Sequence, residues 1–128
     1  MKYLLLLVFL FVGTSAFAQD NTPECDRFKT GTFLSPRGTI IKRTAEFQTE
    51  HHKESGFKIK LKVVWMDECT YVLKFVEANK ATAAAIGPGP HSDLTCEIVE
   101  TGEDFYYHIT TDEEDGKVLP KSKLIRID

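Results

Sequence analysis

A nine-residue stretch of alternating apolar and polar residues constrains the fold of this chain more than any other feature. From Phe57 to Trp65 the odd-numbered positions are all apolar, and three of the even-numbered positions are lysine. Alternation with a period of two is the pattern of a β-strand with one buried face and one face in water. Such strands are typical of antiparallel sheets and closed barrels, whereas the strands of parallel sheets are apolar on both faces.

Further strand patterns occur on both sides of this stretch, separated by residues that favour turns. We predict strands over 28–34, 40–50, from the break at 67–68 to about 77, over 94–101, 105–110 and 123–127. The intervening turns are predicted at 35–38, 51–56, 102–104 and 112–116. An alanine-rich run at 79–86 predicts a short helix or ordered loop, which Asn79 can cap and Gly87 and Pro88 can end.

Short strands at regular spacing in one small chain predict an all-β fold. We expect an antiparallel meander that closes into a small lipocalin-like barrel, with a two-sheet β-sandwich as the alternative. The predicted domain covers residues 19–128, which is enough chain for a single core.

The first eighteen residues are predicted to be a signal peptide. Lys2 is the positively charged residue at the start of the segment, and an apolar run follows it. Ala16 and Ala18 form the small-residue site at which signal peptidase is expected to cleave. We therefore expect an exported protein, either periplasmic or secreted. Without Lys2 the chain has 15 basic and 19 acidic residues, a formal charge of −4, which argues against nucleic acid as a partner. No later apolar run is long enough to span a membrane.

The three cysteines of the chain allow at most one internal disulfide. Cys25 and Cys69 each lie at the edge of a strand pattern, whereas Cys96 lies within one, so we favour a Cys25–Cys69 bridge. Cys96 is then either a small buried core residue or a reactive thiol. No cysteine and histidine spacing suggests a structural zinc site.

The inward face of the predicted sheet is rich in aromatic residues. It comprises Phe47, Phe57, Ile59, Leu61, Val63, Trp65, Tyr71, Leu73, Phe75, Phe105, Tyr107 and Ile109. In a barrel of about eight strands, these residues either fill the interior or leave room for one apolar ligand. Arg43 lies on the inward face if Ile41 does. It lies on the solvent-exposed face if Ile40 and Lys42 are the inward residues. Both registers remain open.

No arrangement of residues identifies a catalytic or metal site. His51 and His52, which lie between Glu50 and Glu54, form the densest group of potential metal ligands in the sequence. Adjacent residues of an extended chain point in opposite directions, however, and cannot converge on one ion. The acidic run 112–116 lacks the ligand spacing of a calcium loop. His108 lies opposite Phe105 and Tyr107 and is expected to be exposed. The motif G-x-S-x-G is absent, so we predict neither an enzyme nor a cofactor.

Three stretches resemble a family of short exported β proteins found mainly in Bacteroidetes-type bacteria. They are Cys25-x2-Phe28-x2-Gly31-x-Phe33, then Gln48-x-Glu50 after a strand that carries Arg43, then Trp65-x3-Cys69-x-Tyr71-x-Leu73. The resemblance implies no established activity. It supports pairing Cys25 with Cys69, because both belong to its motifs. Some members carry a topoisomerase label, which we interpret as an error because a domain this small has no room for nucleotide-binding and DNA-gate domains.

Together these patterns predict an exported, non-enzymatic barrel that binds a small apolar or amphipathic ligand. Four aromatic residues, Trp65, Tyr71, Phe75 and Tyr107, are predicted to surround the apolar part of the ligand, and Arg43 to hold an anionic end. The first alternative is a structural or protein-interaction module of the cell envelope that acts through its surface. The second is an extracytoplasmic hydrolase.

Overall fold

In the computed structural model, which describes residues 22–128, eight antiparallel strands close into a barrel. The strands are β1 (Gly31–Leu34), β2 (Ile40–Arg43), β3 (Phe47–His52), β4 (Phe57–Trp65), β5 (Thr70–Ala78), β6 (Leu94–Thr101), β7 (Phe105–Asp112) and β8 (Ser122–Arg126). A 3-10 helix (Cys25–Phe28) precedes β1, and one α-helix, α1 (Lys80–Ile86), lies between β5 and β6. The predicted signal peptide, residues 1–18, lies outside the described residues.

Strands that follow one another in the chain are neighbours in the barrel. The first and last strands also pair, with Phe33 opposite Arg126 and Leu34 opposite Ile125, and this pairing closes the sheet. The predicted antiparallel, lipocalin-like barrel is therefore confirmed, and the sandwich alternative is wrong.

The two ends of the barrel differ. In an up-and-down meander the connections alternate between the ends, so the β1–β2, β3–β4, β5–β6 and β7–β8 connections share one end, here called the open end. The N-terminal 3-10 helix covers the other, closed end, where the side chain of Phe28 has no exposed surface. Its ring packs against those of Phe33 and Tyr106, with centroids 6.3 and 5.3 Å away.

Gly31 permits a close approach of the Arg126 side chain at the closed end. Its φ of +139° is one that residues with a side chain rarely adopt, and a Cβ atom there would lie 2.8 Å from Nη1 of Arg126. The Arg126 guanidinium lies over the rings of Phe28 and Phe33, 5.3 Å from each centroid. A larger residue at position 31 would therefore strain the backbone there and force the Arg126 guanidinium to move.

A disulfide joins Cys25 of the 3-10 helix to Cys69, the residue before β5, with an S–S distance of 2.02 Å. This confirms the predicted pairing. The bridge fixes the helix across the closed end, and it indicates an oxidising compartment. Cys96 is a free, buried thiol in β6.

The short helix predicted from the alanine run is also confirmed. Asn79 caps α1 by accepting a hydrogen bond from the backbone N–H of Thr82, and the helix ends before Gly87, where φ is +80°. Thr82 is buried, and its hydroxyl accepts from the backbone N–H of Lys58 in β4. The helix is therefore held against the open end. Among residues 22–128 no helix has the length and apolar character needed to cross a membrane.

The predicted strand over 40–50 is two strands. A tight turn at Thr44 divides it: the Thr44 backbone N–H donates to the carbonyl of Phe47, and the Phe47 N–H donates to the Thr44 hydroxyl. The turn contains neither glycine nor proline, so no residue of the types that mark turns indicates it. Phe28 belongs to the 3-10 helix and not to β1, and His51 and His52 belong to β3 and not to the hairpin loop.

The predicted inward face of β7 is wrong. Tyr106 is fully buried and Thr110 is 8% exposed, whereas Phe105, Tyr107 and Ile109 alternate with them on the outer face. His108 therefore faces inward, contrary to the expectation that it is exposed. Its register partners on β6 and β8 are Ile98 and Ser122, and Ile98 is buried.

The other predicted inward residues divide into three groups. Leu61, Val63, Tyr71 and Leu73 are in the core, and Ile59 and Trp65 pack against it. Phe57 and Phe75 lie near the open end, where they border shallow recesses. Phe47 is on the outer face, because it pairs with Lys62 while its neighbour Gln48 pairs with the buried Leu61.

Candidate functional site

A cavity of about 410 Å³ occupies the half of the barrel near the open end. Its apolar lining is Ile41, Tyr71, Leu73, Leu94, Leu119, Pro120 and Leu124, and its polar lining is Ser35, Arg37, Thr39, Gln48, Glu50, Cys96, His108, Thr110 and Ser122. Every strand except β1 and β4 contributes to one or both sets. The interior is thus filled near the closed end and hollow near the open end.

Two smaller recesses adjoin this cavity. One, of about 290 Å³, shares Arg37, Thr39 and Glu50 with it, and the other, of about 330 Å³, shares Leu73 and Leu94. A larger hollow of about 680 Å³ lies outside the barrel at the closed end, between the segment 22–27 and the β6–β7 hairpin. It borders the first described residue, so the interior cavity is the better-defined candidate site.

Arg43 forms the base of the cavity without lining it. Its side chain is 2% exposed, and its guanidinium donates to four acceptors within the barrel. Nε donates to Oε1 of Gln48 at 2.8 Å, and Nη1 to the carbonyl of Phe28 at 2.8 Å. Nη2 donates to the hydroxyls of Tyr71 at 3.0 Å and Tyr106 at 2.7 Å. Four of its five N–H groups are therefore used by the protein itself.

The buried charge of Arg43 has no carboxylate in direct contact within the described part of the chain. Burial raises the pKa of Tyr71 well above its ordinary value, and it also raises the pKa of Tyr106, so both hydroxyls remain neutral. The charge is instead stabilised by oriented hydroxyl and carbonyl dipoles and by the faces of Phe33 and Tyr71, whose centroids lie 5.1 and 4.5 Å from Cζ.

Gln48 connects Arg43 to a carboxyl group in the cavity. Its amide oxygen accepts from Arg43, and its amide nitrogen donates to Oε2 of Glu50 at 2.7 Å. Gln48 and Glu50 are two residues apart on β3, so both face inward. Burial raises the pKa of the Glu50 carboxyl, although the hydrogen bond from Gln48 and the charge of Arg43 both oppose the effect.

A second polar chain follows the opposite wall. The Thr110 hydroxyl lies 3.5 Å from Sγ of Cys96 and 3.3 Å from Nδ1 of His108. Burial lowers the pKa of His108 to about 4, and the charge of Arg43 acts in the same direction. The imidazole is therefore neutral at pH 7. Burial raises the pKa of the Cys96 thiol, so Cys96 is protonated and unreactive at that pH.

The five predicted ligand residues do not form one site. Tyr71 lines the cavity, and Arg43 lies directly beneath it. Phe75 lies at the rim, where its ring centroid is 4.3 Å from that of His91. Trp65 packs 4.7 Å from the Tyr71 ring at the closed end. Tyr107 is on the outer surface under Lys121 and Lys123, so its predicted place inside the barrel is wrong.

Sequence reasoning missed most of the residues that surround the cavity. The sequence did contain an indication that Gln48 and Glu50 face the interior. They are polar residues two positions apart on one strand, and they follow an arginine that is two residues from Ile41. His108 and Thr110 share this spacing on β7. Polar pairs with a period of two indicate an inward polar wall only when the apolar residues between them are assigned to the outer face.

The acidic and histidine clusters considered for metals do not converge. His51 faces outward, while His52 bonds through Nδ1 to the Ser55 hydroxyl at 2.7 Å and through Nε2 to the Arg37 carbonyl at 3.0 Å. Within residues 22–128 no three His, Cys, Asp or Glu side chains are placed to hold a metal ion.

Comparison with known families, with characterised proteins and with solved structures finds no match to this chain. The site must therefore be interpreted from its own geometry.

Proposed function

We propose that this protein is an exported, non-enzymatic module that binds a small apolar or amphipathic ligand inside its barrel. The observation that carries the proposal is the interior cavity of about 410 Å³. Cavities that bind small molecules have volumes from about 300 to 1,000 Å³ and combine apolar walls with a few convergent polar groups. The lining of this cavity has that composition.

The distribution of packing supports binding rather than a purely structural role. An eight-stranded barrel is just wide enough for its side chains to fill the interior. Here aromatic rings and Arg43 fill only the half near the closed end. The lost packing contacts in the other half reduce stability, and a ligand that replaces them offsets this cost.

Export is supported by two independent features. The leader over 1–18 has the composition of a signal peptide, and the Cys25–Cys69 disulfide persists only in an oxidising compartment. We infer a periplasmic or secreted location for the mature barrel.

A hydrolytic role is less well supported by the chemistry of the cavity. The only thiol there, Cys96, is protonated at neutral pH because burial raises its pKa. A nucleophilic cysteine instead requires a lowered pKa or an adjacent base in direct contact. Cys96 is separated from His108 by the Thr110 hydroxyl.

Ligand binding can be tested by native mass spectrometry of the mature protein, purified from its own host and then exposed to a lipid extract of that host. We expect a co-purifying or extracted compound at one copy per barrel. In parallel, the uncharged dye N-phenyl-1-naphthylamine should gain fluorescence in the cavity.

Two neighbouring residues of β6 provide a matched pair of variants. Leu94 lines the cavity and Thr95 is on the outer face, paired with Val72 and Thr111. L94W should abolish dye and ligand binding by filling the space, and T95W should leave both unchanged. Failure of any compound to bind the wild-type barrel, or equal binding by the two variants, would favour a module that acts through its surface.

A further inference from the structure

The charged groups that line the cavity restrict the polar end of any ligand. The ionisable lining side chains include one base and one acid, Arg37 and Glu50. Arg37 is exposed in the β1–β2 turn at the rim, whereas Glu50 is partly buried in β3. His108, the remaining titratable group besides the thiol and Tyr71, is neutral. The acidic group that a ligand meets inside the cavity is therefore the Glu50 carboxyl, which can balance a positive charge on the ligand.

The Glu50 carboxylate has an unused acceptor. Oε2 accepts from Gln48, but Oε1 has no donor among the described residues, and neither oxygen is in an ion pair there. Within the same residues no fully buried side-chain oxygen lacks a partner. Oε1 is therefore accessible from the cavity, where a ligand donor can reach it.

Arg43 is not available as a contact for an anion. It is 2% exposed and four of its N–H groups are occupied, so an anionic head could not reach it without breaking the bonds to Tyr71 and Tyr106. Its positive charge still acts on the cavity and opposes a cation. A cation in contact with Glu50, however, is separated from Arg43 by the Gln48 amide, and Coulomb energy falls with distance, so the contact attraction dominates.

We propose that the ligand is an amphipathic amine, whose ammonium group donates to Oε1 of Glu50 while its apolar chain lies against Leu73, Leu94 and Leu124. This inference rests on the function proposed above, and it replaces the anionic ligand that the sequence suggested. The volume is sufficient, because about 410 Å³ equals roughly fourteen water molecules at about 30 Å³ each. An ammonium group with an eight-carbon chain fits within that space.

Three octyl compounds that differ only in their polar end can test this. Octylamine, octanol and octanoate would each be titrated against the barrel loaded with N-phenyl-1-naphthylamine. For the wild-type protein we expect octylamine to displace the dye at about tenfold lower concentration than octanol, because hydrogen bonds to a charged group are the stronger ones. Octanoate should be the weakest, because it brings a second acidic group against Glu50 and has no hydrogen to donate to Oε1.

The matched variants are E50Q and E46Q, which make the same chemical change inside and outside the cavity. Glu46 is exposed in the β2–β3 turn at the closed end. In E50Q octylamine should lose its advantage over octanol, and in E46Q the wild-type order should persist. Circular dichroism would verify that both variants fold.

The outcomes separate the two proposals. If octanol or octanoate displaces the dye as well as octylamine does in the wild-type protein, the amine inference is overturned while ligand binding stands. An amine preference that survives in E50Q overturns it too. If the dye does not bind, or if none of the three compounds displaces it, the proposed function itself fails. Should E50Q not fold, the wild-type order alone decides.

Discussion

The hydroxyl oxygen of Tyr106 lies 2.7 Å from Nη2 of Arg43, in a part of the barrel where neither side chain is more than 2% exposed. The two residues come from β7 and β2, on different parts of the barrel wall. Their hydrogen bond therefore joins strands that do not pair with each other, and it orients the guanidinium for its other three contacts.

Removing the Tyr106 hydroxyl should destabilise the protein, because Nη2 would lose an acceptor that no water can easily replace. We expect Y106F to lower the free energy of unfolding by about 1 to 3 kcal/mol, measured by urea denaturation. Tyr107 provides the control: it is the same residue type on the outer face, and Y107F should change the free energy by less than about 0.5 kcal/mol. Equal losses of unfolding free energy in Y106F and Y107F would mean that the buried hydrogen bond adds no stability of its own.

The Cys25–Cys69 disulfide should contribute strongly to stability. It closes a loop with a sequence separation of 44, for which the chain-entropy model gives about 4 kcal/mol. The double variant C25S/C69S should therefore unfold at much lower urea concentration than the wild-type protein. Adding a reductant should lower the wild-type stability toward that of the variant and leave the variant unchanged. A wild-type protein that is insensitive to reduction would contradict this.

His108 should make the protein less stable in mild acid. Its pKa is about 4 when folded and 6.5 in the reference state, so between these values the unfolded chain binds more protons and stability falls as pH falls. The full difference corresponds to at most about 3 kcal/mol, reduced by the partial access of solvent to the ring. H108Q should weaken this loss in urea titrations from pH 7 to pH 4, and H51Q, on the outer face, should retain it.

Glu50 should act in the opposite direction. Its folded pKa is raised by burial above the reference value of 4.5, so the contribution it makes to stability is fully present below pH 4.5 and is lost as pH rises through the folded pKa. E50Q should therefore remove a decrease in stability that the wild-type protein shows as pH rises from 4.5. The same urea titrations measure this pH dependence. A steeper decrease of the unfolding free energy with pH in E50Q than in the wild-type protein would contradict the raised pKa of Glu50.

Thr82 should determine how firmly α1 is held at the open end. Its hydroxyl accepts from the Lys58 N–H at 2.8 Å and donates to Oδ1 of Asn79 at 2.7 Å. T82V should leave the Lys58 amide without its partner, cost about 1 to 2 kcal/mol, and speed hydrogen exchange at that amide. T82S keeps the hydroxyl and should exchange at nearly the wild-type rate. Unchanged exchange in T82V would show that the bond is dispensable.

The alternation in β4 was enough to predict the fold class and the correct inward face of that strand. Its apolar and lysine residues leave only one register in which the charges reach water. The α1 cap at Asn79 and the disulfide were likewise predictable, because local chemistry decided the first and the number of cysteines limited the second.

The inward face of β7 could not be predicted from hydropathy. Phe105, Tyr107 and Ile109 are more apolar than Tyr106, His108 and Thr110, yet the second set faces the interior. The buried guanidinium of Arg43 needs acceptors, and Tyr106 supplies one, so a polar requirement within the core outweighed the apolar pattern. Only knowledge that Arg43 is buried would have reversed the assignment.

The pairing of β1 with β8 has a consequence for how the chain folds as it is synthesised. Phe33 and Arg126, which meet in this pair, are separated by most of the polypeptide, so the ring of strands stays open until the carboxyl-terminal residues have emerged. Any shorter product that lacks β8 would present an unpaired β1 edge and an uncovered interior to its neighbours, the condition under which β proteins associate into aggregates. Truncation near the carboxyl terminus should therefore be more harmful than its small share of the core suggests.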